Sequence, residues 1–202
     1  MILAIYYSKK EGGNMQVFIN PGHSPKGDPD PGAVNEELDL EESSIAEHVG
    51  ELVKGYLEAA GLKVRILQSD NLMGEGVGTC VTGEANGWPA DVFVSLHCNA
   101  ASGRARGVEA LCYQAGGAAE ALGKCLERQV FQTLSAIDAG FPSRGIKLRP
   151  DLAVLRETQM PAVLVEMGFI DNQEDAWLLT KYADDIARAI ARGVTDYAGA
   201  LH

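Results

Sequence analysis

The sequence lacks several features that define other classes of protein. No apolar run approaches the ~20 residues that a membrane-spanning helix requires. Basic residues are scarce, because 17 Lys and Arg stand against 28 Asp and Glu, for a formal net charge of −11. Nucleic-acid-binding proteins present a basic surface to the phosphate backbone, so this balance argues against a nucleic-acid partner. The expectation is a globular protein with no membrane span and no nucleic-acid partner.

Paired cysteine motifs are also missing. The four cysteines form neither a C-x-x-C pair nor zinc-finger spacing, so we expect free, buried, small apolar side chains. Cys98 directly follows His97, but adjacent residues of a strand point to opposite faces, which disfavours a Cys–His nucleophile. The most basic stretch, residues 144–149, is expected to be a solvated loop, with steering of an anionic ligand as the alternative.

The first residues lack the leading basic region, apolar core and cleavage site of a secretory signal. The chain is therefore expected to be cytoplasmic, a mature form, or exported by another route. Residues 10–13 could be encoded by a purine-rich ribosome-binding sequence ahead of a start codon at Met15. We hypothesise that residues 1–14 are a non-native N-terminal extension and that residues 15–202 form one catalytic domain.

Apolar periodicity predicts strands that alternate with helices. The predicted strands cover residues 17–20, 64–67, 92–96, 108–113, 153–155 and 163–165. The predicted helices cover residues 40–60, 118–137, 174–180 and 183–197, and the glycine-rich residues 75–87 are expected to contain part of another. Such alternation is typical of an α/β sandwich with a mainly parallel, twisted sheet flanked by helices.

Three apolar, strand-like runs lead to residues that can bind a metal or assist it: His23, His97 and Glu166. In open α/β sheets, functional groups gather just beyond the carboxyl ends of the strands. Imidazole is the commonest metal ligand, and a carboxylate that closes a buried strand needs a compensating partner. Each histidine alone is typical of a surface or core position. Together the three residues predict a metal-dependent hydrolase with Glu166 as its general base.

The acidic residues 36–42 offer several carboxylates for a third ligand, which a catalytic zinc ion usually requires. Acidic residues also favour the first turn of a helix, so this segment could instead be the solvated start of the following helix. The two roles are compatible, because a carboxylate in the first turn is rigidly placed and can point at a neighbouring loop.

Six ordered segments form a pattern that covers nearly everything from Gln16 to the C-terminus. They are Ile19-Asn20-Pro21-Gly22-His23, Pro31-Gly32-Ala33, Ser95-Leu96-His97-Cys98-Asn99-Ala100, Gly107-Val108-Glu109, Leu152-Ala153-Val154-Leu155-Arg156 and Pro161-Ala162-Val163-Leu164-Val165-Glu166-Met167-Gly168-Phe169-Ile170-Asp171-Asn172. In this pattern the chain resembles the zinc-dependent N-acetylmuramoyl-L-alanine amidases of the amidase-3 family. The resemblance implies that His23 and His97 hold Zn²⁺ and that Glu166 is the catalytic glutamate. Counting back from Gly61 places the family's ligand glutamate at Glu42, with Glu41 and Glu37 as alternatives.

The resemblance implies hydrolysis of the amide between N-acetylmuramic acid and L-alanine in peptidoglycan, at the bacterial cell wall, in an extracellular or periplasmic setting. Phage lysis, sporulation or germination, and cell separation are roles that such an enzyme serves. Two departures concern the site: residues 24–30 form a longer loop than relatives carry, and Ser44 stands where Asp is common.

Two alternative functions remain open beside the amidase. A zinc peptidase acting on the wall peptide is disfavoured, because the chain has Lys26 in place of the Glu of H-x-x-E after His23, and no H-E-x-x-H. A catalytically inactive peptidoglycan-binding module is disfavoured because every predicted site residue is present. 

Overall fold

The computed structural model describes residues 15–74, 76 and 78–201. The hypothesis about residues 1–14 therefore falls outside the described residues. The strands of the main sheet are β1 (Gln16–Pro21), β4 (Lys63–Ile66), β5 (Val92–Asn99), β6 (Val108–Cys112), β7 (Ser143–Leu148) and β8 (Ala162–Phe169). A separate short hairpin pairs β2 (Val34–Asn35) with β3 (Leu40–Glu41).

The main sheet has the strand order β4-β1-β5-β8-β6-β7. Its neighbouring strands run parallel, except that β6 is antiparallel to β8. Strands β1, β5 and β8 lie together in the middle, where residues of both faces are covered, which explains their continuous apolar sequences. The predicted α/β fold with a mainly parallel sheet is confirmed.

The helices are α1 (Glu42–Ala59), α2 (Val81–Gly87), α3 (Gly117–Ile137), α4 (Ala153–Arg156), α5 (Gln173–Lys181) and α6 (Ala183–Gly199). Helix α1 buries Ile45, Val49, Val53 and Leu57, whose spacing of four places them on one side of the helix. The chain leaves this helix at Gly61, whose φ of +86° is a conformation that glycine adopts without strain.

Helices cover the two faces of the sheet unequally. Alternation along β1 sends Val17 and Ile19 to a first face, where they pack with apolar residues of α1, α3 and α6. Phe18 points to the second face and packs in a smaller cluster that includes Val81 of α2 and Val154 of α4. The helices on this face are short, with seven residues in α2 and four in α4.

The structure corrects two of the predicted elements. Residues 153–155 form the single-turn helix α4 and not a strand, and this turn lets Val154 and Leu155 both bury against the second face. Residues 143–148 form the edge strand β7 and not a loop. This strand was missed because it is largely exposed and carries Gly145 at a φ of +72°, so it has no apolar run.

Strands β5 and β8 continue beyond their predicted ends. His97 and Glu166 therefore lie within strands, near their carboxyl ends, and are direct neighbours in register. Helix α1 begins at Glu42, two residues later than predicted. No helix among the described residues is both long and apolar enough to cross a membrane.

Candidate metal centre

His23 lies just after β1, where the chain turns sharply at Pro21-Gly22. Its φ of +67° places the backbone in the left-handed region, which is uncommon for a residue with a side chain. Gly22 is required beside it, because a Cβ on that residue would overlap the His97 ring. The tight packing of this turn brings the two imidazoles to a centroid distance of 5.0 Å, with their planes at 75°.

Glu42 is the first residue of α1 and supplies the carboxylate between the two histidines. Its side chain is buried, and it accepts the backbone N–H of Ala33 at Oε2 (2.8 Å) and of Cys98 at Oε1 (2.9 Å). Of the alternatives that the sequence left open, Glu41 belongs to the hairpin strand β3 and Glu37 is exposed in the hairpin turn. Helix α1 therefore aims Glu42, and neither alternative, at the histidines.

Among the described residues, His23, Glu42 and His97 form a cluster that could hold a metal ion. One ligand atom from each lies within 4.8 Å of the others. His23 Nε2 is 3.0 Å from Glu42 Oε2, and His97 Nδ1 is 2.8 Å from Glu42 Oε1. Two imidazoles and one carboxylate are a known ligand set for catalytic zinc.

Charge within this cluster is strongly coupled. Burial alone would raise the pKa of Glu42, but hydrogen bonds with His23 and His97 outweigh it and hold that pKa well below its usual range. Burial would lower the pKa of His23, but hydrogen bonds and charge from Glu42 and Asp30 raise it to about 9. The carboxylates of the site therefore stabilise a positively charged group beside them. A metal ion would compete with the proton on His23 for this position.

Asp30 is a part of the site that the sequence did not indicate. Its Oδ2 lies 2.8 Å from His23 Nδ1, and its Oδ1 accepts the N–H of Gly32 at 3.0 Å. The hydrogen bond with His23 lowers the pKa of this carboxyl group. Such a partner fixes the ring so that Nε2 points at the cluster. The sequence feature that could have indicated Asp30 is the unusual loop of residues 24–30, to whose side chains no role was assigned.

Glu166 faces this cluster from the neighbouring strand β8. Its Oε2 is buried and has no hydrogen-bond partner among the described residues. Burial is the main cause that raises the pKa of Glu166 to about 7, and the nearby Glu42 and Glu109 raise it further against the opposing effect of His97. A buried, unpartnered carboxylate oxygen beside two imidazoles and a carboxylate fits a site that is completed by a cation.

Glu109 and Arg144 extend the row of polar residues beyond Glu166. Glu109 lies on β6, opposite Glu166 in register. Its Oε1 accepts Asn99 Nδ2 at 2.8 Å, and its Oε2 accepts Arg144 Nε at 2.8 Å. The Arg144 guanidinium also lies over the Phe169 ring, 5.0 Å from its centroid. These contacts were missed because β7, which carries Arg144, was predicted to be a loop.

Cys98 does not join this chemistry. Its side chain is buried in the cluster of the first face, opposite to the side of the strand that carries His97. Burial raises the pKa of its thiol well above the usual value. The four cysteines are free, and Cys125 alone of them is only partly buried. A thiol nucleophile next to His97 is therefore excluded by the alternation of the strand.

A hollow opens on the second face beside His23 and His97. Its lining includes Asp30, Asp70 and Leu164 of β8. Helix α4 closes one side through Val154. Two of the three cluster residues, His23 and His97, are therefore accessible from this hollow.

Comparison with known proteins finds the same fold and family along almost the whole chain. A family model described as N-acetylmuramoyl-L-alanine amidase matches residues 17–196. The chain is 34% identical over 182 residues to N-acetylmuramoyl-L-alanine amidase CwlM of Bacillus licheniformis, covering 89% of this chain and 67% of the relative. It is 32% identical over 186 residues to the endolysin of Bacillus phage SPP1, covering 89% of this chain and 65% of the relative.

The chain thus spans about two thirds of the length of these two relatives. Among solved structures, N-acetylmuramoyl-L-alanine amidase AmiC2 of Nostoc punctiforme superposes with a TM-score of 0.78 at 28% identity. That match covers 94% of this chain and 99% of the other.

Proposed function

Because the chain belongs to the N-acetylmuramoyl-L-alanine amidase family, we propose that it hydrolyses the amide between N-acetylmuramic acid and L-alanine of the stem peptide in peptidoglycan. The observation that carries this proposal is the buried, unpartnered Oε2 of Glu166 on the strand next to His97. The substrate is peptidoglycan, and the place of action is the bacterial cell wall, outside the cytoplasmic membrane.

His23, Glu42 and His97 are the residues that would hold a zinc ion. Two neutral imidazoles and one carboxylate leave a catalytic zinc with an open position for water or substrate. When bound, zinc supplies a Lewis acid that polarises a carbonyl group and lowers the pKa of water. Asp30 keeps the His23 ring oriented, and the backbone N–H groups of Ala33 and Cys98 hold the Glu42 carboxylate in place.

Glu166 serves first as the general base and then as the general acid. Its Oε2 accepts the proton of the attacking water and then donates it to the departing amine of L-alanine. A pKa near neutrality suits a group that both accepts and donates a proton. A cation held nearby would lower that pKa and so favour the carboxylate that the first step needs.

The Bacillus licheniformis relative and the Nostoc punctiforme structure are named as amidases, and no observation favours the peptidase alternative. The inactive-module alternative is disfavoured because the two histidines and Glu42 form one cluster, and Glu166 is the neighbour of His97 in register.

Mass spectrometry of digested muropeptides tests the reaction. The wild-type protein should release stem peptides that begin with L-alanine and are free of sugar. Glu166→Gln should abolish this release while metal analysis still finds about one zinc per chain. Full activity of Glu166→Gln would remove Glu166 from the mechanism, and products that keep L-alanine on the glycan would show a peptidase.

A further inference from the structure

Three basic residues, Arg144, Lys147 and Arg149, lie along β7 and its end, and are called the cationic strip. Lys147 pairs in register with Leu111, which packs in the cluster of the second face. Lys147 is therefore on the same side of the sheet as Glu166. Arg144 contacts Glu109, the neighbour of Glu166 in register. The cationic strip thus lies on the side of the sheet that carries Glu166, two strands away from it.

The cationic strip contains basic groups that are available to bind a ligand. Lys147 is exposed, and its amino group forms no ion pair with any described residue. Arg144 uses only Nε in its ion pair with Glu109, so its two terminal amino groups have no hydrogen-bond partner in the described part of the chain. Arg149 is bound at two positions by Asp151 and contributes less net charge.

The region beside His23 carries acidic side chains. Asp30 and Asp70 line the hollow beside His23. Charge on this side of the sheet therefore changes from acidic residues near β1 to basic residues on β7, in a chain with a net charge of −11. A ligand with carboxylates at one end and a neutral sugar at the other can bind favourably in only one direction.

We propose that the cationic strip binds carboxylates of the stem peptide, so that the peptide runs from Glu166 across β6 to β7 and the glycan lies toward β1. This inference rests on the proposed amidase function, because the peptide and the glycan are the two products of that reaction. Strand β7 is two strand spacings, about 10 Å, from β8. About three residues of extended peptide cover that distance, so the carboxylates of the first few residues after the scissile amide reach the strip.

Two synthetic muropeptides test the direction of binding. They share one sugar and one peptide sequence, and differ only in that the peptide carboxylates are free acids in one and amides in the other. The measured quantity is the ratio of kcat/KM for the acid to kcat/KM for the amide. For the wild-type protein this ratio should exceed one. In Lys147→Gln the ratio should fall about two- to fivefold, the range for one exposed ion pair.

Lys63→Gln is the matched control, because Lys63 is an exposed lysine on β4, the opposite edge strand of the same sheet. It makes the same change in total charge and should leave the ratio as in the wild type. Arg144→Lys keeps the charge while losing the planar guanidinium, and it should lower the ratio less than Lys147→Gln. Raising the salt concentration should lower the wild-type ratio more than the ratio of Lys147→Gln.

The outcomes separate this inference from the function on which it rests. Hydrolysis of neither muropeptide by the wild-type protein would overturn the amidase proposal and this one together. Hydrolysis of both at equal kcat/KM would leave the amidase intact and overturn the cationic strip alone. A ratio that falls equally in Lys147→Gln and Lys63→Gln would show a general charge effect and would also overturn it.

Discussion

Replacing Glu42 with Gln changes both the stability of the fold and its response to zinc. Glu42 is 4% exposed, and its two carboxylate oxygens accept the N–H groups of Ala33 and Cys98 separately. An amide offers one oxygen and one NH₂ group, so only one of these backbone donors can keep its acceptor. An unsatisfied buried donor costs about 1–3 kcal/mol. Without added metal, the free energy of unfolding of Glu42→Gln should fall by about that amount.

The same substitution removes one of the three candidate ligands. Zinc present at 100 times its Kd would raise the free energy of unfolding of a protein that binds it by about 2.7 kcal/mol. The wild-type protein should show a gain of that size with zinc, and Glu42→Gln should show almost none. Urea denaturation with EDTA and with zinc measures both effects on one protein sample.

Glu41→Gln and Glu37→Gln are the matched controls, because they make the same chemical change at the two glutamates that the sequence left as alternatives. Both variants should keep the stability of the wild type and its gain with zinc. Retention of the gain with zinc in Glu42→Gln would show that Glu42 is not a zinc ligand. A loss of that gain in Glu41→Gln alone would instead make Glu41 the ligand.

Three further predictions concern the surroundings of the cluster. Asp30→Asn should weaken zinc binding about 10- to 100-fold in titration calorimetry, because it loosens the hold on His23, and unchanged affinity would contradict a role for Asp30. Gly22→Ala should lower kcat/KM about 100-fold by displacing the His97 ring, and wild-type activity would contradict that overlap. With EDTA present, the raised pKa of His23 should stabilise the fold fully below pH 6.5 and lose that effect as pH rises through about 9. Urea denaturation measures the free energy of unfolding of the wild-type protein and of His23→Gln. The difference between the two proteins should be smaller at pH 10 than at pH 6.

Local pattern was sufficient for the elements that are buried in the middle of the sheet. Strands β1, β5 and β8 have both faces covered, so their apolar sequences are continuous and easily recognised. The two elements that were wrong in the prediction, α4 and β7, lie over one face and at one edge of the sheet. Their few apolar residues are buried by contacts with distant parts of the chain, which no local period records.

The sequence by itself indicated that His23, His97 and Glu166 lie near the carboxyl ends of buried strands, and that the chain resembles zinc amidases. Only the tertiary structure decided which residues meet, because β1, β5 and β8 are neighbours in the sheet and far apart along the chain. It selected Glu42 from an acidic cluster through the direction of α1, and it added Asp30 through the path of a loop. It also placed the cationic strip on the same side of the sheet as Glu166, two strands away, because β6 and β7 follow β8 in the sheet and not in the sequence. Burial appears in the sequence as a repeating pattern of apolar residues. Which side chains come together depends on the order of the strands in the sheet, and the apolar pattern gives no information about that order.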